Sequence, residues 1–319
     1  SFGNRLRFID RGDYLKLLST NGIRTVLKNP CKIFAGLTHL GFFTRMDDER
    51  YLRLLYHGVL GRPIHLNPPV LYSEKMQWLK LHDKNPVYTQ LCDKLAVREY
   101  VSRLAGEQYL IPLLGVWENP DQIDFDLLPN RFVLKCTHDS GSAILCADKS
   151  KFDRTAAKET LKKKLRKDYS LAGREWPYHD VPRRVLAETH LGDEDGTPPN
   201  DVKFFCFDGK VALVLVYIHR HDRRNGSYTF LPDFTPFQIY ENDEEPEQTI
   251  SRPPHFDEMI TLCEKLSEGF AHMRVDLYDT PEGVKFGEIT LHSSSGLSIT
   301  MTERGEVYLG ELLRLEEGK

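Results

Sequence analysis

The sequence predicts an α+β protein in which helices come first and a mostly antiparallel β region follows. Three observations lead there. Apolar residues recur at three and four positions through residues 47–105, then switch to a period of two from about residue 108. The dipeptide Asp208-Gly209, which tolerates the positive φ values of a tight hairpin, joins two apolar runs. Composition is that of a folded globular chain: 40% hydrophobic and 28% charged over 319 residues, enough for two or three lobes around a sizeable core.

The helical segments read as MDDERYLRLLYHGVLG, SEKMQWLKLHD and LCDKLAVREYVSRLAG, broken at Gly61-Arg62-Pro63, Pro68-Pro69 and Pro86. Ser73 is the expected N-cap of the second and Gly106 the expected stop of the third. Strands are expected in YLIPLLGVW, RFVLKC, AILC, RRVLAE, VKFFCF, KVALVLVYI, MRVDLY and VKFGEITL. Helices at 154–167 and 255–270 interrupt them, and 192–200 and 241–254 are polar, Pro-containing loops.

A formal net charge of −4 argues against a nucleic-acid binder. The charge is uneven. Residues 1–45 carry eight Lys/Arg against Asp10 and Asp13, a net of +6 that leaves −10 for the remainder. Beside the apolar stretch 35–43, this region suits contact with an anionic membrane surface, although a basic face packed on the body weighs more. No apolar run reaches the ~18–20 residues that span a bilayer, and no secretory signal pattern opens the chain. Six cysteines without a CxxC pair read as reduced thiols, which suits the cytoplasm, with the inner face of the membrane as the place the basic segment would add.

The C-terminal hairpin is the most informative element. Residues 273–278 and 285–291 flank Asp279-Thr280-Pro281-Glu282-Gly283. Pairing centred on Glu282 sets Asp276 opposite Glu288, Arg274 opposite Thr290 and Tyr278 opposite Phe286, all on one face, with Val275, Leu277 and Ile289 on the other. Opposed Cβ atoms lie ~4.5–5.5 Å apart. Two carboxylates so close repel unless one protonates or a cation sits between them, and hard oxygen donors with room for water suit Mg²⁺. A solvated charged face, with Arg274 neutralising one acid, explains the same residues, so the hairpin alone leaves both readings open. Lys135 ends an apolar strand, and Lys203 lies among Phe204, Phe205 and Phe207; each needs an anionic partner or access to solvent. After Lys135, the loop Thr137-His138-Asp139-Ser140-Gly141-Ser142 would let backbone N–H groups approach a phosphate, or is simply a hairpin turn.

Taken in order, Asp93-Lys94…Arg98, Ile111-Pro112, FVLK ending at Lys135, THDSGS, LAE ending at Glu188, DVK at 201–203, RVD at 274–276 and GEIT at 287–290 resemble the ATP-grasp superfamily. SEKMQWLKLHD, DKLAVREYV, YLIPLLGVW, GREWPY, KFFCFDGK and RVDLY resemble its TupA-like branch, named for teichuronopeptide biosynthesis, over most of residues 70–315. The resemblance implies two α+β lobes clasping ATP: a mainly helical region over 1–92, a first lobe with the phosphate loop over 93–190, and a core lobe with the metal hairpin over 191–319. It implies that Lys94 and Lys135 meet the phosphates beneath a loop containing His138, Ser140, Gly141 and Ser142. Glu188 and the backbone on to Leu191 would hold adenine, Asp201 the ribose and Lys203 the phosphates. Asp276, Glu288 and Thr290 would hold Mg²⁺, with Arg274 and Lys203 as catalytic cations. Thr290 departs from the Glu-x-Asn of many ATP-grasp enzymes, which brings in His292 or Ser293 as helpers.

The activity implied is carboxylate–amine ligation through an acyl phosphate. Its partners would be an amino acid and a sugar acid or amino sugar, free or lipid-linked, in bacterial surface polysaccharide biosynthesis. Arg220, Arg223 and Arg224 are candidates for holding an acidic substrate, a plain basic loop being as good a reading. His219 and His221 lack a third ligand for zinc. Asp193-Glu194-Asp195 keeps a glycosyltransferase in play, although a solvated turn accounts for it better. The same ATP machinery would serve a sugar kinase or, given Thr290, a non-catalytic nucleotide-binding module.

Overall fold

Capping chemistry sets the helical half. The computed structural model describes residues 29–38, 41–192, 199–218, 226–241 and 250–315. Helices α1 (Cys31–Leu37) and α2 (Asp48–Leu60) pack around Ala35, Tyr51, Leu52, Leu55 and Tyr56. α2 starts where the Asp47 carboxylate accepts from Arg50 N at 3.0 Å, and it stops at Gly61, whose φ of 75° closes the last turn. α3 (Tyr72–His82) is not capped by Ser73. Glu74 folds back to accept from Val70 N and Leu71 N at 3.0 and 3.1 Å, while Glu306 takes Ser73 N at 2.8 Å.

The single helix expected over 91–106 is two, α4 (Val87–Cys92) and α5 (Val97–Ala105), the second ending at Gly106 as expected. Asp93 makes the break. Its Oδ1 accepts from Leu95 N at 2.8 Å and its Oδ2 pairs with Arg184 Nη2 at 2.9 Å, a local alternative to the helical ladder. Asp93 and Lys94 therefore stand at a corner instead of on a helix face.

The β half is antiparallel throughout its pairings. Strands β1 (Leu113–Trp117), β2 (Phe132–Cys136), β3 (Ile144–Cys146) and β4 (Val185–Thr189) form a sheet in the order β1-β4-β2-β3. Helix α6 (Arg154–Leu165) covers one face through Leu161, against Phe132, Leu134, Val185 and Ala187. Alternation leaves Val133, Lys135, Leu186 and Glu188 on the other.

A second sheet, β7-β6-β5-β8-β9, comprises β5 (Asp201–Phe207), β6 (Lys210–Ile218), β7 (Gly226–Phe230), β8 (His272–Thr280) and β9 (Gly283–Thr290). The β5–β6 turn is Asp208-Gly209 at φ 48° and 73°, as expected. β7 escaped the sequence reading, because GSYTF is too short and too polar to show a period. Val202, Phe204 and Cys206 pack with α5 and α7 (Phe256–Ser267). Phe205 and Phe207 face the other way, against Tyr72 and Met76 of α3 and Leu309 of α8 (Glu303–Leu312). On that second face the apolar cover ends at Phe205, and the next side chains along β5 are Lys203 and Asp201. All six cysteines are free. Among the described residues no helix is long and apolar enough to cross a membrane.

His272 opens the same face of β8, walled by Phe205, Phe207 and Tyr72. Its Nδ1 is 3.0 Å from Leu291 O, so that nitrogen carries the proton and Nε2 accepts from Tyr72 OH at 3.1 Å. Burial pushes its pKa down to about 3. The unfolded chain therefore takes up a proton below the ordinary histidine pKa while the folded chain does not, and stability falls with pH. Unfolding in urea should show a loss of ~2 kcal/mol from this group between pH 7 and pH 5. His292, also lowered by burial, adds in the same direction. His272→Gln should flatten the slope; an unchanged slope would show that His272 takes no part in it.

Candidate active site

The β8–β9 hairpin sets Asp276 opposite Glu288 and Arg274 opposite Thr290, as the sequence predicts. Tyr278 is not opposite Phe286. A bulge shifts the register between Asp276 and Leu277, so Tyr278 faces Lys285, and Phe286 joins the apolar face with Val275, Leu277 and Ile289. The extra residue is Gly287, where a Cβ would meet Asp276 O at 2.9 Å and Tyr278 Cε2 at 3.0 Å. Gly287→Ala should cost ~1–3 kcal/mol by overpacking the bulge, measurable by chemical denaturation. A neutral result would mean that the two strands separate freely there.

A charged cluster emerges from under α3. Lys203 Nζ lies 2.5 Å from Asp276 Oδ2 and 2.7 Å from Asp201 Oδ2. Arg274 Nε lies 2.7 Å from Asp276 Oδ1. Its Nη2 is 2.9 Å from Asp276 Oδ2, 3.4 Å from Glu288 Oε1 and 2.9 Å from Thr290 Oγ1, while Nη1 donates to Ser293 Oγ at 3.0 Å. Burial alone would lower the Lys203 pKa, but Asp276 and Asp201 outweigh it and hold the ammonium above the usual lysine range. Burial also opposes the charge on Asp276; Arg274 and Lys203 overcome it and keep that carboxyl below the ordinary range. Asp201 goes the other way. Burial raises it despite Lys203, and Asp276 adds to the rise. Asp201 Oδ1 is buried without a hydrogen-bond partner, which suits a donor brought by a ligand. Tyr217, paired with Asp201 on β6, puts its ring 5.5 Å from Lys203 Nζ.

The first sheet contributes a second group. Lys135 Nζ lies 2.6 Å from Glu188 Oε2, and Arg98 Nη1 lies 2.9 Å from Glu188 Oε1 while Nη2 donates to Ile111 O at 2.8 Å. Lys94 links the glycine loop to the hairpin acids: its ammonium donates to Asp139 O in the loop and stands 4.0 Å from Glu288 Oε2. Tyr278, paired with Asp201 across the β5–β8 ladder, feels the charge of both groups. Burial raises its pKa well above the ordinary value, and Asp201, Glu288, Asp276 and Glu188 all add to the rise.

Within the loop, Ser142 Oγ accepts from Cys136 N at 2.8 Å and donates to Asp139 Oδ1 at 2.5 Å, and His138 Nε2 is 3.2 Å from Lys167 O. These two side chains brace the loop, leaving Ser140 and Gly141, at φ 77°, as its exposed tip. Leu191 follows β4, half-buried. His292 turns away from the hairpin acids, with Nδ1 3.8 Å from Glu175 Oε2, and Ser293 is tied to Arg274; neither supplements Thr290 here. Arg220, Arg223, Arg224, His219, His221 and Asp193-Glu194-Asp195 lie outside the described residues. The sequence reading assigned no role to Arg98, Tyr217 or Gly287. Arg98 was within reach, four residues past Lys94; Tyr217 and Gly287 needed a register that two bulges hide.

A family model described as TupA-like ATPgrasp matches residues 74–314, about three quarters of the chain. The chain belongs to the TupA-like ATP-grasp family. Its fold is accordingly ATP-grasp, with a helical region ahead of the two sheets. No curated protein sequence matches the chain significantly. Among solved structures, it is similar to D-alanine–D-alanine ligase from Bacillus anthracis complexed with ATP, at 16% identity over 63% of this chain and 55% of that one, TM-score 0.38. The RimK domain protein ATP-grasp from Sphaerobacter thermophilus gives 14% identity over 71% and 69%, TM-score 0.38. The ATP-grasp ligase PsnB complexed with minimal precursor gives 12% over 87% and 75%, TM-score 0.40. The chain spans between 55% and 64% of the D-alanine–D-alanine ligase chains.

Proposed function

We propose that this TupA-like ATP-grasp protein is an ATP- and Mg²⁺-dependent ligase that activates a carboxylate as an acyl phosphate and joins it to an amine. The observation that carries the reading is the convergence of Lys203, Arg274 and Lys94 on Asp201, Asp276 and Glu288, in a family whose members grasp ATP. The donor set suits Mg²⁺. Asp276 is held ionised, Glu288 stays 31% exposed, and Thr290 adds a hydroxyl. An ion held by so few side chains would keep waters and phosphate oxygens in its other positions. Bound there, Mg²⁺ would supply charge neutralisation at the phosphates.

The remaining roles fall to this chain's own groups. A carboxylate oxygen attacks the γ-phosphorus in line, ADP leaves, and Lys94, Lys135, Lys203 and Arg274 stabilise charge on the phosphoryl oxygens. Asp201 accepts from the ribose, and Glu188, freed from Lys135, meets the adenine side. The loop tip at Ser140-Gly141 closes over the phosphates and excludes water from the acyl phosphate. The amine then displaces inorganic phosphate and leaves an amide. The division at 92/93 and 190/191 follows the same reading, with one sheet on each side of the second boundary.

The sequence resemblance to a branch named for teichuronopeptide biosynthesis supports a sugar acid or amino sugar and an amino acid as partners, in surface polysaccharide assembly on the cytoplasmic side of the membrane. Residues 1–45 would provide peripheral contact with that membrane, and Arg220, Arg223 and Arg224 a seat for an acidic substrate. ADP release that requires ATP, Mg²⁺, a carboxylate and an amine together tests the ligase. Release of UDP or GDP from a sugar nucleotide would replace it with a glycosyltransferase, and a phosphorylated product stable without amine would replace it with a kinase.

A further inference from the structure

We infer that Arg274 makes divalent-cation binding conditional on nucleotide, because its guanidinium and a cation compete for the same oxygens. The inference rests on reading Asp276, Glu288 and Thr290 as the cation's ligands. One arginine engages all three: both Asp276 oxygens at 2.7 and 2.9 Å, Glu288 Oε1 at 3.4 Å and Thr290 Oγ1 at 2.9 Å. Guanidinium is never deprotonated at working pH, so it gives up these oxygens only by moving.

Movement is opposed from the far side. Ser293 Oγ accepts from Nη1 at 3.0 Å, and Ser293 opens a turn, Ser293–Gly296, whose next three residues are all left-handed, at φ 48°, 55° and 66°. Serine in that region is strained, and the strain persists because Lys80, buried beneath, donates to Ser295 O and Ser295 Oγ at 2.7 Å each and to Gly173 O at 2.8 Å. Arg274 is therefore held at the centre of its oxygen set by a turn that is itself braced. A polyphosphate offers the guanidinium a second, bidentate anionic partner. Nucleotide thus draws Arg274 away and frees the carboxylates in the same event, so cation and nucleotide enter together and free cation alone is held off by a fixed positive charge.

The test is a Mn²⁺ titration of the full chain, followed by the electron paramagnetic resonance signal of free Mn²⁺, with and without ADP. Without nucleotide, Arg274→Ala should bind Mn²⁺ at least tenfold more tightly than the wild-type chain. Arg274→Lys, which keeps a cation but loses the fork, should fall between them and serves if the alanine variant does not fold. With ADP, the wild-type chain should bind Mn²⁺ tightly, and Glu288→Gln should weaken that binding. Equal Mn²⁺ affinity of wild type and both variants without nucleotide would overturn the role of Arg274, while a Glu288-dependent Mn²⁺–ADP site would leave the ligand assignment standing. If Glu288→Gln changes Mn²⁺ binding in no condition, the ligand assignment falls and this inference with it.

Discussion

Glu288→Gln should lower ATP turnover about 10²–10³-fold, the size expected when one charged group at a phosphoryl-transfer centre is lost. The fold should hardly notice. Glu288 is 31% exposed at its side chain, and its cationic neighbours stand 3.4 and 4.0 Å away, at the loose end of ion pairing. Pairs of that kind contribute ~0–1 kcal/mol, so the melting temperature should move by no more than ~4 °C. The amide keeps the shape of the carboxylate and removes its charge, which separates electrostatic loss from packing loss. Turnover is read by coupled ADP release with the carboxylate and amine that support it, and stability by thermal unfolding. A rate loss below tenfold would remove Glu288 from the cation site. A large thermal loss would make it a structural acid instead.

The contrast between Glu288 and its partner shows how far the sequence could be read. Opposing Asp276 to Glu288 needed only strand alternation and a turn, and both were visible in RVDLYDTPEGVKFGEIT. The assumed turn centre, Glu282, was right at the acids because of an error that cancelled. The chain turns over Pro281-Glu282, and the bulge at Gly287 restores the missing half-step before Glu288 is reached. Nearer the turn, where nothing had yet corrected it, the same assumption misplaced Phe286. β5 and β6 repeat the lesson. Asp208-Gly209 announced the hairpin, but a shift between Phe205 and Cys206 hid the pairing of Tyr217 with Asp201. A bulge costs one residue and leaves no compositional trace unless it is a glycine. The helix break at Asp93 was missed for a different reason. The apolar period continues across it, and Arg184, the partner that holds Asp93 out of the helix, is 91 residues away. Lysines were easier. An ammonium inside an apolar strand has few reasons to be there, and both Lys135 and Lys203 proved to be paired with acids.

Lys203→Met should destabilise the chain by ~3–5 kcal/mol at pH 7, because removing one member of a buried ionic cluster leaves the others uncompensated. Lys203 is 9% exposed at its side chain and is shared by Asp201 and Asp276, at 2.7 and 2.5 Å. Asp276 would keep Arg274. Asp201 would keep its desolvation and the repulsion of Asp276, the two effects that already raise its pKa, opposed only by the weaker attraction of Arg274. An acid whose folded pKa lies above its unfolded value is most favourable to folding in acid, and that contribution is lost as pH rises through the folded pKa. The gap between variant and wild type should therefore narrow on going from pH 7 to pH 5. This is the opposite of the histidine-driven loss common to both proteins, which cancels in the difference. Denaturant midpoints for the two chains at both pH values give the answer. Asp201→Asn in the Lys203→Met background should recover part of the loss at pH 7 and none of the pH dependence. A gap below ~1 kcal/mol, or one that does not change with pH, would mean that water screens Asp201 and that the lysine is no structural counter-ion. Its place in the cluster would then be explained by the phosphates alone.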